Sequence, residues 1–316
     1  MLTPEQTDRY LERLALQRQN PDLEYLNTLI RAQLRTVPYE NLSIHYSETH
    51  SLSLAIPTLY PKIVLNGHGG YCMELNMLFG ALLMSLNFEV YQRAGRVWKV
   101  GSPHGPEGEA ISKHWTGWSH MVLIVRLDQD YLVDVGFGSN GPVTALAIPP
   151  MSSLGDIVSG VIPKEHQLGS MPAPHSPGAS VYIVRHRRDT AAPWTPIFTF
   201  DPNTPFSDSD YEIMSFHCHC HPSSPFVSSV LCTTVGFDQY GKAITRMLLQ
   251  NNVLKKRING ENQVVEKFDT EETRLKAIER IWGINFSETQ KQGVKKWNVG
   301  IVGPEPERTI PIAGWS

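Results

Sequence analysis

Cysteine is scarce in this chain: four among 316 residues, at Cys72, Cys218, Cys220 and Cys232. So few, so unevenly placed, exclude a disulfide-stapled scaffold and fit a reducing cytosol, so a cytoplasmic location is expected. Long apolar runs are missing too, and none reaches the roughly 20 residues that a membrane helix requires. Charge of one sign is nowhere concentrated. The net charge is −3, with 28 basic and 31 acidic residues interspersed, which gives no nucleic-acid or membrane surface. There is no internal repeat and no low-complexity tract. The N-terminus lacks a signal-peptide pattern and reads as a helix start, with Thr3 as cap, Pro4 at the first position and Gln6 closing a capping box.

The first third reads helical. Asn20-Pro21 opens a second helix with Leu23, Leu26, Ile30 and Leu34 on one face, and Pro38 stops it. From about residue 88 short alternating segments take over: 89–92, 121–127, 131–135, 181–185 and 197–200, with Gly and Pro between them. That is sheet or barrel chemistry with long loops. The last part mixes a helix over 210–219, strands near 243–251 and 264–268, and a helix that Asp269 caps, Glu272 supports and Gly283 ends. The expected fold class is α+β: a helical part over 1–87, a β part over 88–205 and an α/β part over 206–316.

The most informative stretch is Gly69-Gly70-Tyr71-Cys72-Met73-Glu74-Leu75-Asn76. Two glycines permit a sharp turn into a helix whose apolar residues run from Leu75 to Leu86. Cys72 then sits in the first helical turn, where free N–H groups and the helix dipole favour a thiolate and lower its pKa. The alternative is a small apolar residue in a core helix. A cysteine nucleophile needs a base and a group that orients the base. His120, ahead of the apolar strand Met121 to Val125, and Asp134, flanked by Val133 and Val135, are the candidates. Each has a plain alternative, as a hydrogen-bonded strand-end histidine and a solvent-facing edge carboxylate. A tight hairpin at Asp128 to Asp130 pairs Asp134 with about Leu123, roughly 10 Å from His120 along the strand. A bend or bulge has to close that gap.

Two other clusters stand out. His217-Cys218-His219-Cys220-His221 suggests a metal site, but its alternation matches no zinc spacing and no second cluster completes it, so no metal is expected. Arg185-His186-Arg187-Arg188 reads as a solvated strand end or loop, or as a contact for the phosphates of a coenzyme.

These residues carry a resemblance to the arylamine N-acetyltransferase family. Val37-Pro38-Tyr39-Glu40-Asn41-Leu42 resembles that family's Val-Pro-Phe-Glu-Asn-Leu, and Gly69 to Asn76 resembles its Arg-Gly-Gly-x-Cys-x-Glu-x-Asn box. Thr116 to His120 and Leu132 to Gly138 resemble its His and Asp segments, and Pro222 to Phe226, followed by Cys232, its Ser-Pro-x-Ser-x-Phe segment. The resemblance implies a helical bundle, a β-barrel and an α/β lid around a cysteine-protease-like Cys-His-Asp core, carried onto Cys72, His120 and Asp134. It implies ping-pong transfer of an acyl group from acyl-CoA, with acetyl-CoA the first choice and propionyl or malonyl donors possible, through an acyl-cysteine to an aromatic amine or hydrazine. By the same resemblance Thr116, Gly117, His217 and Ser223 contact coenzyme A, and Tyr39, Val97, Ser119, Phe137 and Phe226 line the acceptor pocket. The rival reading is a Cys-His-Asp hydrolase or transglutaminase-like enzyme that needs no coenzyme A. Two positions depart from the family: His217, where an aromatic is common, and His68, where the box begins with Arg. If His68 replaces that Arg opposite Glu40, the acid should raise its pKa.

Overall fold

The computed structural model describes residues 1–100, 113–294 and 299–301. Helix α1 (Pro4–Arg13) starts as expected, with the Thr3 hydroxyl accepting from Gln6 N and the Gln6 side chain accepting from Thr3 N. Helix α2 (Leu23–Thr36) begins two residues later than the Asn20-Pro21 reading, because the Asp22 carboxylate caps it by accepting from Tyr25 N at 2.7 Å. Strand β1 (Tyr39–Glu40), the short helices α3 (Leu42–His45) and α4 (Ile56–Tyr60), and a π-helical turn over Pro61–Leu65 lead to α5 (Cys72–Ser85). Every residue from Cys72 to Leu83 is buried, so α5 is a central helix with no solvent face. Around it pack Tyr10, Leu26 and Ile30 of the preceding helices and Met121, Leu123 and Val125 of the neighbouring sheet. Asn87, in the left-handed region at φ 67°, ends the turn after α5.

Eight antiparallel strands follow: β2 (Glu89–Val100), β3 (Lys113–Arg126), β4 (Asp130–Val133), β5 (Leu146–Ala147), β6 (Ile157–Ser159), β7 (Glu165–Pro172), β8 (Ser180–Arg187) and β9 (Thr195–Phe200). Their order is β5-β4-β3-β2-β9-β8-β7-β6, and the sheet curls until β5 lies beside β7, nearly closing a barrel. Leu132, Leu168, Val184, Phe198 and Phe200 fill its interior.

Helices α6 (Asp208–Cys220) and α7 (Pro225–Ser228) precede β10 (Leu231–Phe237), β11 (Ala243–Gln250), β12 (Val253–Ile258) and β13 (Glu261–Lys267), then α8 (Glu271–Trp282) and α9 (Glu288–Gly293). The cap of α8 is Thr270, not Asp269, since the Thr270 hydroxyl is the group that accepts from Thr273 N; Gly283 ends that helix at φ 69°. β1 forms the edge of this second sheet, pairing with β10 through Tyr39 opposite Thr233 and Glu40 opposite Cys232. Asn41 reinforces the junction, donating to Phe226 O and Ser229 O and accepting from Leu231 N. The segment leading to Cys72 and the C-terminal sheet are thereby one packed structure.

Candidate functional site

The glycines before Cys72 serve close approach, not a left-handed turn. A Cβ on Gly69 would fall 1.8 Å from Pro38 O, and one on Gly70 would fall 2.8 Å from Glu74 Cβ. Bare backbone here lets Glu40 N donate to Gly70 O at 2.9 Å and lays the segment against β1. Gly136 does the same from the other side, where a Cβ would meet Cys72 Cα at 2.6 Å. The chain leaving β4 can therefore rest directly on the first turn of α5.

Cys72, His120 and Asp134 are all buried; Asp134 is in contact with His120 and within electrostatic reach of Cys72. His120 Nε2 lies 2.8 Å from Asp134 Oδ2. The gap foreseen between these two residues is closed by register and by a bulge. Leu123 pairs with Val133, one residue off the expected pairing, so Asp134 falls beyond the ladder on the face that His120 occupies. A bulge between Gly95 and Arg96 against His120 and Trp118 leaves Ser119 outside the pairing and turns His120 inward. The edge of the His120 ring meets Phe137 at 4.9 Å, and Phe198 lies at 4.9 Å on another side.

Asn76 is the residue to which the motif reading gave no role. One helical turn after Cys72 and on the same face, it donates to Met121 O at 2.7 Å and to Asp134 Oδ1 at 2.9 Å, and its Oδ1 accepts from Val135 N at 3.0 Å. Gly136 N donates to Asp134 Oδ1 at 2.8 Å. The carboxylate thus has three donors, and one amide ties α5 to both β3 and the end of β4. The cue was in the sequence: Asn76 lies four residues after the cysteine, ahead of an apolar run that reaches Leu83.

Burial pushes the Cys72 thiol up, and Cys218 and Asp134 nearby add to this, against the backbone N–H groups of Met121 and Met73, which favour the thiolate. This burial opposes the first-turn N–H groups on which the expectation of a lowered thiol rests. Cys218, buried on α6, is the unforeseen neighbour, since its Sγ and that of Cys72 both point at Ser119 O, at 3.6 and 3.8 Å.

The remaining expected residues form three groups. Tyr39 and Phe226 face each other at 6.5 Å, with Tyr71 5.5 Å from Phe226. At the bulge, Thr116 Oγ1 accepts from Val97 N at 2.9 Å and lies 2.7 Å from Ser119 Oγ, while Gly117 is exposed and a Cβ there would meet nothing. At the end of α6 the rings of His217 and His221 stack at 4.6 Å, and Ser223 Oγ lies 2.7 Å from His221 Nδ1. Among the described residues no group of three or more His, Cys, Asp or Glu side chains is placed to hold a metal, and no helix is long and apolar enough to cross a membrane.

His68 is not Glu40's partner. Its pKa falls to about 4, because burial and then the charges of Lys62 and Arg13 disfavour protonation, and its ring meets the edge of Phe286 at 5.4 Å. Fully buried Glu40 accepts from the backbone N–H groups of Gly69 and Leu42. The cation here is Lys62, whose Nζ lies 2.7 Å from Glu74 Oε1. Against the burial that would strip its proton, Glu74 and Glu40 hold Lys62 above its ordinary value. That lysine comes from the π-helical turn that precedes the Gly69-Gly70 segment.

Residues 22–291 match the family model described as N-acetyltransferase. Over 283 residues the chain is 33% identical to the N-malonyltransferase FDB2 of Gibberella moniliformis, which covers 86% of this chain and 81% of that one. It is 29% identical over 296 residues to the arylamine N-acetyltransferase of Mycolicibacterium smegmatis, with 90% and 94% covered. The solved M. smegmatis arylamine N-acetyl transferase matches at a TM-score of 0.71 and 27% identity, over 90% of this chain and 96% of that one.

Proposed function

Because this chain belongs to the arylamine N-acetyltransferase family, its acyl transfer from a coenzyme A thioester to an amine is the premise from which we propose the roles of individual residues. Cys72 is the nucleophile, His120 the base and Asp134 the group that orients the base. The observation that carries this reading is the buried His120–Asp134 contact, fastened by Asn76 to the first turn of the helix that Cys72 opens. With Nε2–H directed at Asp134, His120 keeps Nδ1 as its basic nitrogen. That nitrogen takes the Cys72 proton as sulfur attacks the thioester carbonyl. The tetrahedral oxyanion is met by N–H groups at the start of α5. Collapse breaks the bond to the coenzyme A sulfur, which leaves with the proton from His120, and Cys72 holds the acyl group. The amine then attacks, His120 accepts a proton from its nitrogen, and collapse releases the amide and returns that proton to the cysteine sulfur.

Thr116, Gly117, His217 and Ser223 are assigned to coenzyme A; Tyr39, Val97, Ser119, Phe137 and Phe226 to the aromatic acceptor, whose flat ring suits aromatic walls. The acceptor is an aromatic amine or hydrazine and the donor is acetyl-CoA. A malonyl donor is the second reading, supported by Lys99, a part-buried cation within electrostatic reach of Cys218, and by the kinship to an N-malonyltransferase. The cysteines are free thiols, in keeping with a cytosolic setting. Incubation with acetyl-, propionyl- and malonyl-CoA, followed by intact mass and peptide mapping, tests the reading. The expected result is one acyl mass on the Cys72 peptide, discharged by arylamine; label elsewhere, or none, refutes it.

A further inference from the structure

A second cluster of chemistry lies where the barrel meets the C-terminal sheet. The loop between β6 and β7 crosses that gap: Ile162 N donates to Ala243 O at 3.0 Å, and a Cβ on Gly260 would meet Pro163 Cδ at 2.8 Å. Val143, Val161, Val235 and Ala243 form a small apolar floor beside it. Above that floor stand Lys164, His166 and His186 from the barrel side, and Arg246 and Arg257 from the sheet side. Arg246 and Arg257 are directly opposite on neighbouring strands, a pairing in which like charges repel. His166 and His186 are likewise cross-strand partners, their rings 6.2 Å apart.

Among the described residues this cluster has no counter-charge of its own. Lys164 and Arg246 are each only 3% exposed. Lys164 Nζ donates to Asn140 Oδ1, a neutral acceptor. Among the described residues no carboxylate forms an ion pair with Lys164, Arg246 or Arg257. Buried nitrogens of Arg246, Arg257, His166 and His186 lack hydrogen-bond partners. Isolated buried charge is costly, and polar groups left unpaired in a native interior call for a partner. The titration behaviour agrees: burial, then Arg257, pulls Arg246 down to about 9, and burial, then Arg246 and Arg257, carries Lys164 well below its ordinary value. Among the described residues no acid pulls either one back.

We propose that Lys164, Arg246 and Arg257, with His186 beside them, form a binding site for a phosphate group, separate from the acyl-transfer centre. Two guanidinium forks and an ammonium converging from two sheets match the several acceptor oxygens of a phosphate dianion. The turn from Phe137 to Asn140 lies between the two sites: Phe137 packs on His120, while Asn140 holds Lys164 and accepts from His166 Nε2 at 2.8 Å. An anion here would brace that turn from behind.

The source is either free phosphate or a phosphate monoester carried by a nucleotide, and the test separates them. Melting curves of the full chain are recorded against inorganic phosphate, against adenosine 3′,5′-bisphosphate, and against sodium chloride at matched ionic strength. Wild type should show a saturable rise with phosphate, about 5 °C at a hundredfold excess over Kd, and none with chloride. Arg246→Met should abolish the rise. Arg257→Gln, a milder change at a half-buried position, should weaken binding at least tenfold and carries the test if Arg246→Met does not fold. A rise with phosphate alone assigns free phosphate; one at lower concentration with the bisphosphate assigns a nucleotide. No rise, or the same rise in wild type and variants, overturns the site.

Discussion

Replacing Asn76 by alanine tests the architecture of the site more directly than any change to the reacting groups. The side chain makes three buried hydrogen bonds, to Met121 O, Asp134 Oδ1 and Val135 N. Alanine leaves each partner buried without its mate, and an orphaned buried group costs about 1–3 kcal/mol, more when charged. With some relaxation the expected loss is about 3–6 kcal/mol, a large share of the roughly 5–15 kcal/mol that holds a domain together. At about 2–4 °C per kcal/mol for a chain of this size class, the melting temperature should fall by about 10 °C. The catalytic consequence is separable. Asp134 keeps Gly136 N and His120 as donors but loses its link to the helix that carries Cys72, so turnover should fall with little change in KM for the amine. Urea unfolding and steady-state kinetics on the folded variant are the assays. Stability within 1 kcal/mol of wild type together with unchanged kcat would show that Asn76 does not fasten the site.

Cys72→Ala should remove the acyl adduct seen by mass while leaving the fold intact, whereas Cys218→Ala should still load. Asp134→Asn should depress turnover strongly, since the same change in the serine-protease triad costs about 10⁴ by leaving the histidine in the wrong tautomer; near-normal rates in a folded protein would remove Asp134 from the mechanism. His68 titrates at about 4 in the folded chain against an ordinary ~6.5, so protonation favours the unfolded state. Its contribution is fully present above pH ~6.5 and is lost as pH falls toward 4. Melting temperatures of wild type and His68→Asn should converge in that window as pH is lowered, and curves that stay parallel would show that His68 is not held neutral.

Much of this molecule was legible from residue order alone. Cys72, His120 and Asp134 stood out because each was a reactive group inside an apolar run, and burial of reactive groups demands mutual partners. The alternating segments from residue 88 announced the curled sheet, and the caps at Thr3 and Gly283 were local chemistry. What stayed hidden depended on distance along the chain. Lys62 sits in a π-helical turn with no motif around it, and only folding sets its ammonium on Glu74. The thiol of Cys72 looked activated because a helix start is local, whereas the desolvation that opposes it comes from burial in the whole fold. Cap positions slipped by one or two residues where two polar side chains competed, as at Asn20 and Asp22 or Asp269 and Thr270.

The two-residue strand β1 has a consequence for how the protein is made. Tyr39 and Glu40 pair with Thr233 and Cys232, and Asn41 is satisfied by residues 226 to 231. A growing chain emerges with these groups first and their partners nearly two hundred residues later. The early helices can gather around α5, yet the edge beside Gly69-Gly70 stays open until β10 has been synthesised. The contact between the Tyr39 and Phe226 rings is therefore completed late, and chains broken off within the barrel cannot make it.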